Sequence, residues 1–441
     1  MVEVRTLTIE EVRNKLLCTE KGGVKQTIQN CVIALQNDPL LVNAIKRNEL
    51  TGQVDIVKQM KWTRRGQAIT DTDMNQIKLY LEQNYELISD KSIRSAMDIV
   101  SSENTYHPIR EYLDTLEWDG QERIRYLLNT YLGAEQSEYV YQATKLLMLG
   151  AINRVYHPGC KFETMICLVG GQGAGKSTFF RFMSIRDHWF SDDLKRLDDD
   201  NVYRKMQGHW FIEMAEMLAT SSAKSIEEIK SFVSRQKETY KIPYETHPED
   251  RPRQCVFVGT SNNMNFLPFD RTGNRRFAPI LIDEVKALKH PLANEKECRA
   301  YIIQCWAEAM EIYVSGNYRL AFSTEMEQEL RAMQVEFMPE DTRAGVIQEW
   351  LDKYSGTFVC TRMIFKEALG HMYDEPKPKD LKEIAGIMNH SAIGWRTVSS
   401  HRFPEYGTQR AWKRLECKQN NEINDNKFLE VNNQMEIPFT K

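Results

Sequence analysis

The apolar positions along this chain change rhythm several times, and each change predicts an element. Between Tyr139 and Val155 they recur at helical spacing, with Val140, Ala143, Leu146, Leu147, Leu149, Ala151, Ile152 and Val155 on one stripe. Pro158-Gly159 closes that helix, because proline cannot continue the amide ladder and glycine admits a turn. Residues 164–169 (Thr-Met-Ile-Cys-Leu-Val) are a short, wholly apolar run, the pattern of a parallel strand buried on both faces. Two more strands are predicted, one within Gly208–Glu216 and one over Cys255–Gly259. A second long helix is expected from about Glu295 to Val314, ended by Gly316. Thr324-Glu325-Met326-Glu327 reads as a capping box opening another helix to about Phe337, and Ser225-Ile226-Glu227-Glu228 as one opening a short helix.

The flanking regions read differently. Residues 1–104 are polar with weak periodicity, and predict a helical N-terminal domain. Asp71 and Asp73 form a D-x-D pair, which a polymerase or primase would use to hold metal. They open the helical run Met74–Leu81, however, so they are read as a helix N-terminus. Residues 105–340 hold the strands and long helices. Pro339-Glu340-Asp341-Thr342 is a turn-prone linker. Residues 345–418 predict helices over Thr361–Leu369 and Leu381–Met388 and a hairpin over Trp395–Tyr406, an order that suits a winged-helix-like DNA-binding domain. Residues 419–441 are Asn-rich and read as a flexible tail.

Composition narrows the class without naming a function. The 441 residues carry 58 Lys+Arg against 62 Asp+Glu, a formal charge of −4, and are 41% hydrophobic. Disordered, collagenous and low-complexity classes are excluded, as is a uniformly basic coat. A local basic groove is not, because net charge averages over every face. Nine scattered cysteines with no C-x-x-C argue against a zinc framework or disulfide scaffold and for reduced thiols. The start Met1-Val2-Glu3-Val4-Arg5 lacks a signal-peptide pattern, and no apolar run approaches the roughly 20 residues of a membrane span. A cytoplasmic protein with no membrane partner is expected.

The chemistry begins directly after the run 164–169. Gly170-Gly171-Gln172-Gly173-Ala174-Gly175-Lys176-Ser177 fits G-x-x-x-x-G-K-[ST], and Thr178 continues into a predicted helix. In such a loop backbone amides wrap a β-phosphate, the Lys176 ammonium meets the β/γ-phosphates, and the Ser177 hydroxyl ligates Mg²⁺. ATP and Mg²⁺ are therefore the expected cofactors. Glu213 and Glu216 stand near the carboxyl end of the next strand, where ligands of open α/β sheets bind. One would polarise the attacking water and the other sit near Mg²⁺. Ser177 and Glu213 are the metal candidates, although spacing alone leaves the two glutamate roles open. Asn262, after the third strand, is placed to orient the γ-phosphate or the water. Arg275 or Arg276 suits an arginine finger, which if supplied in trans requires an oligomer. Tyr240 and Lys241 would sit at a hairpin tip able to grip single-stranded DNA. Residues 394–418 hold Arg396, Arg402, Arg410, Lys413, Arg414 and Lys418 against Glu405 and Glu416, a candidate phosphate-contacting face.

Taken in order, the loop, Trp-Phe-Ile-Glu-Met-Ala-Glu (210–216), Gly-Thr-Ser-Asn (259–262) and Thr-Gly-Asn-Arg-Arg-Phe (272–277) resemble the virulence-associated protein E family. So do His107–Leu113, Trp118-Asp119-Gly120 and Pro158–Phe162. The resemblance spans roughly residues 105–280. It implies an AAA+ P-loop core of the superfamily 3 helicase kind, with a parallel sheet, Walker B acids at Glu213 and Glu216, a sensor at Asn262 and a finger at Arg275 or Arg276. Many AAA+ enzymes carry adjacent carboxylates, whereas Met214 and Ala215 separate these two. The resemblance further implies a ring, hexameric in this family, that threads single-stranded DNA past Lys241 during replication of a phage or mobile element. Origin double-stranded DNA and a separate primase or initiator are implied partners. An origin-remodelling ATPase without processive unwinding is the alternative.

Overall fold

The computed structural model describes residues 7–194, 197, 202–216, 223–240, 249–267 and 274–415. Contacts divide the chain into two units, Met1–Pro339 and Glu340–Lys441.

The first unit opens with a small α+β assembly. Strands β1 (Ile45–Asn48), β2 (Val54–Ile56) and β3 (Thr105–Tyr106) form a sheet ordered β2-β1-β3. The helices Ile28–Asn37, Asp71–Tyr85 and Asp90–Glu103 share a core with it through Leu35, Ile45, Ile77, Leu81, Ile93 and Met97. The N-terminal region is thus not purely helical as the sequence predicted. Its strands are two to four residues long, and runs that short show no alternation. The Asp71/Asp73 pair does open a helix: Thr70 caps it and the Asp73 carboxylate returns the bond to the Thr70 amide. Burial would raise the Asp73 pKa, but hydrogen bonds from Arg64, Trp62 and Thr70 bring it down to about 2.

The centre of the first unit is a five-stranded, all-parallel sheet. Its strands are β4 (Met165–Val169), β5 (Phe190–Ser191), β6 (Phe211–Ala215), β9 (Val256–Ser261) and β10 (Phe277–Leu281), in the order β10-β4-β9-β6-β5. An antiparallel pair, β7 (Lys237–Tyr240) and β8 (Glu249–Pro252), intervenes between β6 and β9. The helices Glu138–Tyr156, Lys176–Met183 and Glu295–Ser315 bury one core around Trp210 and Trp306, whose ring centroids are 4.5 Å apart. A second core holds Met165, Cys167 and Val169 of β4 with Ile229 and Phe232 of the helix Ala223–Val233. The residues of β4 are therefore buried on both faces, as an unbroken apolar run requires. Two predicted caps move. The helix Ala223–Val233 begins before Ser225, and the helix Thr324–Glu336 is capped by Ser323 rather than Thr324.

The second unit packs the helices Thr342–Lys353 and Pro378–His390 on a sheet of β11 (Phe358–Val359), β12 (Trp395–Phe403) and β13 (Gly407–Arg414), ordered β11-β13-β12. Ile347, Leu351, Phe365, Ile384 and Trp412 form its core. The segment predicted as one helix over Thr361–Leu369 is an α-turn, Thr361–Met363, that widens into a π-helical stretch, Ile364–Ala368. Its hairpin runs on to Arg414, beyond the predicted end at Tyr406. Among the described residues, no helix is long and apolar enough to cross a membrane.

Candidate functional site

The site forms where β4, β6 and β9 end on the same side of the sheet. After β4 the chain turns through the glycine-rich segment into the helix Lys176–Met183. Gly173 and Gly175 adopt φ of 90° and 82°, a region that side chains with a Cβ rarely enter, and so give the loop its curl. Among the described residues no side chain caps the helix that follows. Its first amides are left for an anion, which the helix dipole also favours.

Charged groups converge on this loop from the neighbouring strands. The Lys176 ammonium donates to the carbonyls of Gly170 (2.8 Å) and Gly171 (2.7 Å) and to Asn262 Oδ1 (2.8 Å). Burial lowers its pKa, while Glu216, Glu213 and Glu284 act to raise it. The Ser177 hydroxyl donates to Glu213 Oε1 at 2.7 Å, and the Thr260 hydroxyl donates to the same oxygen. Glu213 is fully buried, and its other oxygen, Oε2, has no hydrogen-bond partner among the described residues. Burial pushes its carboxyl pKa up against the pull of Thr260 and Ser177. Glu216 lies one residue past β6 in the left-handed region, φ 53°. Its carboxylate accepts from the Asn262 amide (2.7 Å) and the Ser261 hydroxyl (3.2 Å).

The structure thus brings Lys176, Ser177, Glu213, Glu216 and Asn262 together. The sheet order explains how: β9 lies between β4 and β6, so Asn262 emerges between the loop and the glutamates. Two partners carried no signal of their own in the sequence. Thr260 was visible only as part of Gly-Thr-Ser-Asn. The His290 ring, 3.3 Å from the Gly173 carbonyl, comes from a segment with no motif.

The arginine pair is not brought to this cluster. Phe277 opens β10 and pairs with Met165, the first residue of β4. Arg275 and Arg276 therefore sit at the amino end of the sheet, a strand length of roughly 13 Å from the loop. Arg275 donates to Glu163 Oε1 at 2.9 Å with 70% of its side chain exposed, and Arg276 donates to Ser234 Oγ at 2.7 Å.

Of the nucleic-acid candidates, Lys241 lies outside the described residues, and Tyr240 ends β7. The basic hairpin residues do not form one face. Arg396 pairs with Lys413 on one side of the ribbon, while Arg402, paired with Thr408, shares the other side with Arg410. Arg414, expected at the phosphate-contacting face, is engaged within the unit: its guanidinium donates to the Leu351 carbonyl (2.9 Å) and that of Tyr354, and lies over Trp395. It fastens the hairpin to the helix Thr342–Lys353 and the residue after it.

Residues 113–339 match the family model of the virulence-associated protein E-like domain. The chain belongs to that family. Among solved structures, it is similar to the A-form apo structure of the NrS-1 C-terminal region (305–718). That alignment has 14% identity and a TM-score of 0.45, and covers 84% of this chain and 96% of that one. Another apo structure of that region gives 13% identity, a TM-score of 0.43, and coverage of 84% and 95%. Among curated proteins, none matches the chain.

Proposed function

We propose that this protein is an ATP-dependent DNA helicase serving replication of a phage or phage-like mobile element, working as a ring on single-stranded DNA. The observation that carries the reading is the convergence of Lys176, Ser177, Glu213, Glu216 and Asn262 at one strand-end cluster. The parallel sheet with β9 inserted between β4 and β6 is what an AAA+ P-loop core of the superfamily 3 kind requires. A hard cation fits the donor set. Glu213 Oε2 is buried beside the Ser177 hydroxyl with no partner among the described residues, and Mg²⁺ commonly takes one or two carboxylates plus phosphate oxygens.

In this reading Ser177 and Glu213 would hold Mg²⁺, which would supply positive charge to offset that of the ATP phosphates. The amides that open the helix Lys176–Met183 cradle the phosphates of ATP. Lys176 exchanges the carbonyls of Gly170 and Gly171 for phosphate oxygens. Asn262 orients the γ-phosphate. Glu216 is the general base, because it lies at the open strand end that water can reach while Glu213 is sealed against Ser177 and Thr260. Arg275, exposed at the far end of the sheet, serves the site of an adjacent protomer. The second unit is read as a winged-helix-like DNA contact through one side of its hairpin, either Arg396 and Lys413 or Arg402 and Arg410.

A forked-duplex unwinding assay with ATP and Mg²⁺ tests the proposal. The wild-type chain should separate the strands, and Lys176→Ala should lose hydrolysis and unwinding together. Hydrolysis retained in that variant would overturn the site. DNA-stimulated hydrolysis without strand separation would overturn the helicase and leave an origin-remodelling ATPase.

A further inference from the structure

A basic loop in the N-terminal part of the first unit is left unused by this mechanism. Between β2 and the helix Asp71–Tyr85, residues 57–67 hold Lys58, Lys61, Arg64 and Arg65 and no acidic residue. Burial alternates along it. Met60 is buried and Trp62 and Arg64 are half-buried, whereas Lys61, Thr63 and Arg65 are exposed.

What turns inward is fastened. Arg64 donates through Nε to Asp73 Oδ1 (2.9 Å), through Nη1 to the Ile56 carbonyl (2.8 Å) and through Nη2 to the Gln67 carbonyl (2.9 Å). One guanidinium therefore ties the loop's two ends to each other and to the helix behind. The Trp62 indole donates to the same Asp73 oxygen at 2.8 Å. The Arg64–Asp73 pair is well shielded, with side-chain exposures of 11% and 4%. The inward cation is thus neutralised by the fold. The outward cations, Lys58, Lys61 and Arg65, are exposed, and no ion pair holds them among the described residues. Lys61 lies 5.3 Å from the Tyr80 ring centroid, which steadies its stem.

We propose that this loop is a contact for the sugar-phosphate backbone of DNA, with Lys58, Lys61 and Arg65 as the phosphate-binding side chains. The inference rests on the DNA-translocating function proposed above. Three outward cations within eight positions, with no carboxylate between them, complement a continuous line of negative charge better than the mixed charges of a protein surface. The frame beneath them fixes their spacing before the ligand arrives, so less ordering is required on binding. Lysine contacts of this kind position a strand without reading its bases.

The experiment uses the full chain and measures fluorescence anisotropy with a mixed-sequence single-stranded oligonucleotide and its duplex, from about 0.05 to 0.2 M salt. The triple variant Lys58→Ala, Lys61→Ala, Arg65→Ala should bind about tenfold or more weakly at the low-salt end. The slope of log K against log salt should become shallower by about 2 to 3. Its thermal midpoint should match wild type, because the three side chains are exposed. The charge-conserving triple Lys58→Arg, Lys61→Arg, Arg65→Lys should keep wild-type affinity. Wild-type affinity and salt slope in the alanine triple would overturn this inference and leave the helicase reading intact. Equal loss in both triples would also overturn it, because charge would then not be the cause. A wild-type chain that binds neither oligonucleotide would overturn both.

Discussion

The two ends of the parallel sheet hold their charges in opposite circumstances. At the carboxyl end, Lys176 and Glu213 are buried, each is shifted toward its neutral form, and Glu213 keeps one oxygen with no partner among the described residues. At the amino end every carboxylate named here has an arginine partner within the fold, although Arg253 Nε has no hydrogen-bond partner among the described residues. Arg253 pairs with Glu238 while donating to the Phe232 and Val233 carbonyls, and Glu163 faces Arg275 and Arg276. Buried polarity without a complement is costly and persists where something outside the fold supplies the missing partner. A buried charge paired with an opposite charge of the same fold is architecture. Arg275 belongs to neither class cleanly, since it is matched by Glu163 yet largely exposed.

The sharpest way to break this contrast is a mixing experiment. Lys176→Ala and Arg275→Ala should each lower hydrolysis by about 10³-fold, and an equimolar mixture should recover a measurable fraction of wild-type phosphate release. Recovery requires sites built from two protomers. Wild-type hydrolysis in Arg275→Ala would make the arginine part of the matched architecture after all.

The amino end predicts losses of stability. Replacing Arg253 by Met leaves the buried Glu238 only its 3.6 Å ion pair with the half-exposed Arg235, and should cost about 2–4 kcal/mol, read as a fall of roughly 4 °C in the thermal midpoint. A loss below about 1 kcal/mol would show that this end does not depend on its buried pair.

A smaller effect is expected at His107, beside the start of β9. Its Nδ1 accepts from the Arg110 amide and its Nε2 faces Gln254 Oε1 at 2.7 Å, which suits the neutral ring. Burial carries its pKa down from 6.5 to about 4. Between those values the unfolded chain binds the proton more readily, so this contribution is full above pH 6.5 and falls as pH drops toward 4. Between pH 7 and pH 5 wild type should lose about 2 kcal/mol more than His107→Asn, measured by denaturant unfolding. Equal losses would mean that the ring is not held neutral.

Much of the strand-end cluster was legible because its chemistry is local in sequence. The glycine spacing, Lys176 and Ser177 fall within eight residues, and unbroken apolar runs marked β4 and β9. Glu213 and Glu216 were visible as a pair but not as different residues. Only the packing buries one against Ser177 and pins the other to Asn262. The N-terminal strands escaped notice because they are too short to alternate. The basic hairpin looked like one face because counting charges ignores the period of two that splits Arg396 and Lys413 from Arg402 and Arg410.

The sequence by itself determined the motif order, the parallel-strand pattern and the residue types able to bind phosphate and metal, since these depend on local spacing and backbone freedom. Tertiary structure decided which of them meet. Strand order and register put Asn262 between the loop and the acids and sent the arginine pair to the opposite end, because register couples residues far apart in the chain. It also decided that Arg64 and Arg414 are internal fasteners while neighbouring cations face outward, a distinction set by burial rather than by residue type.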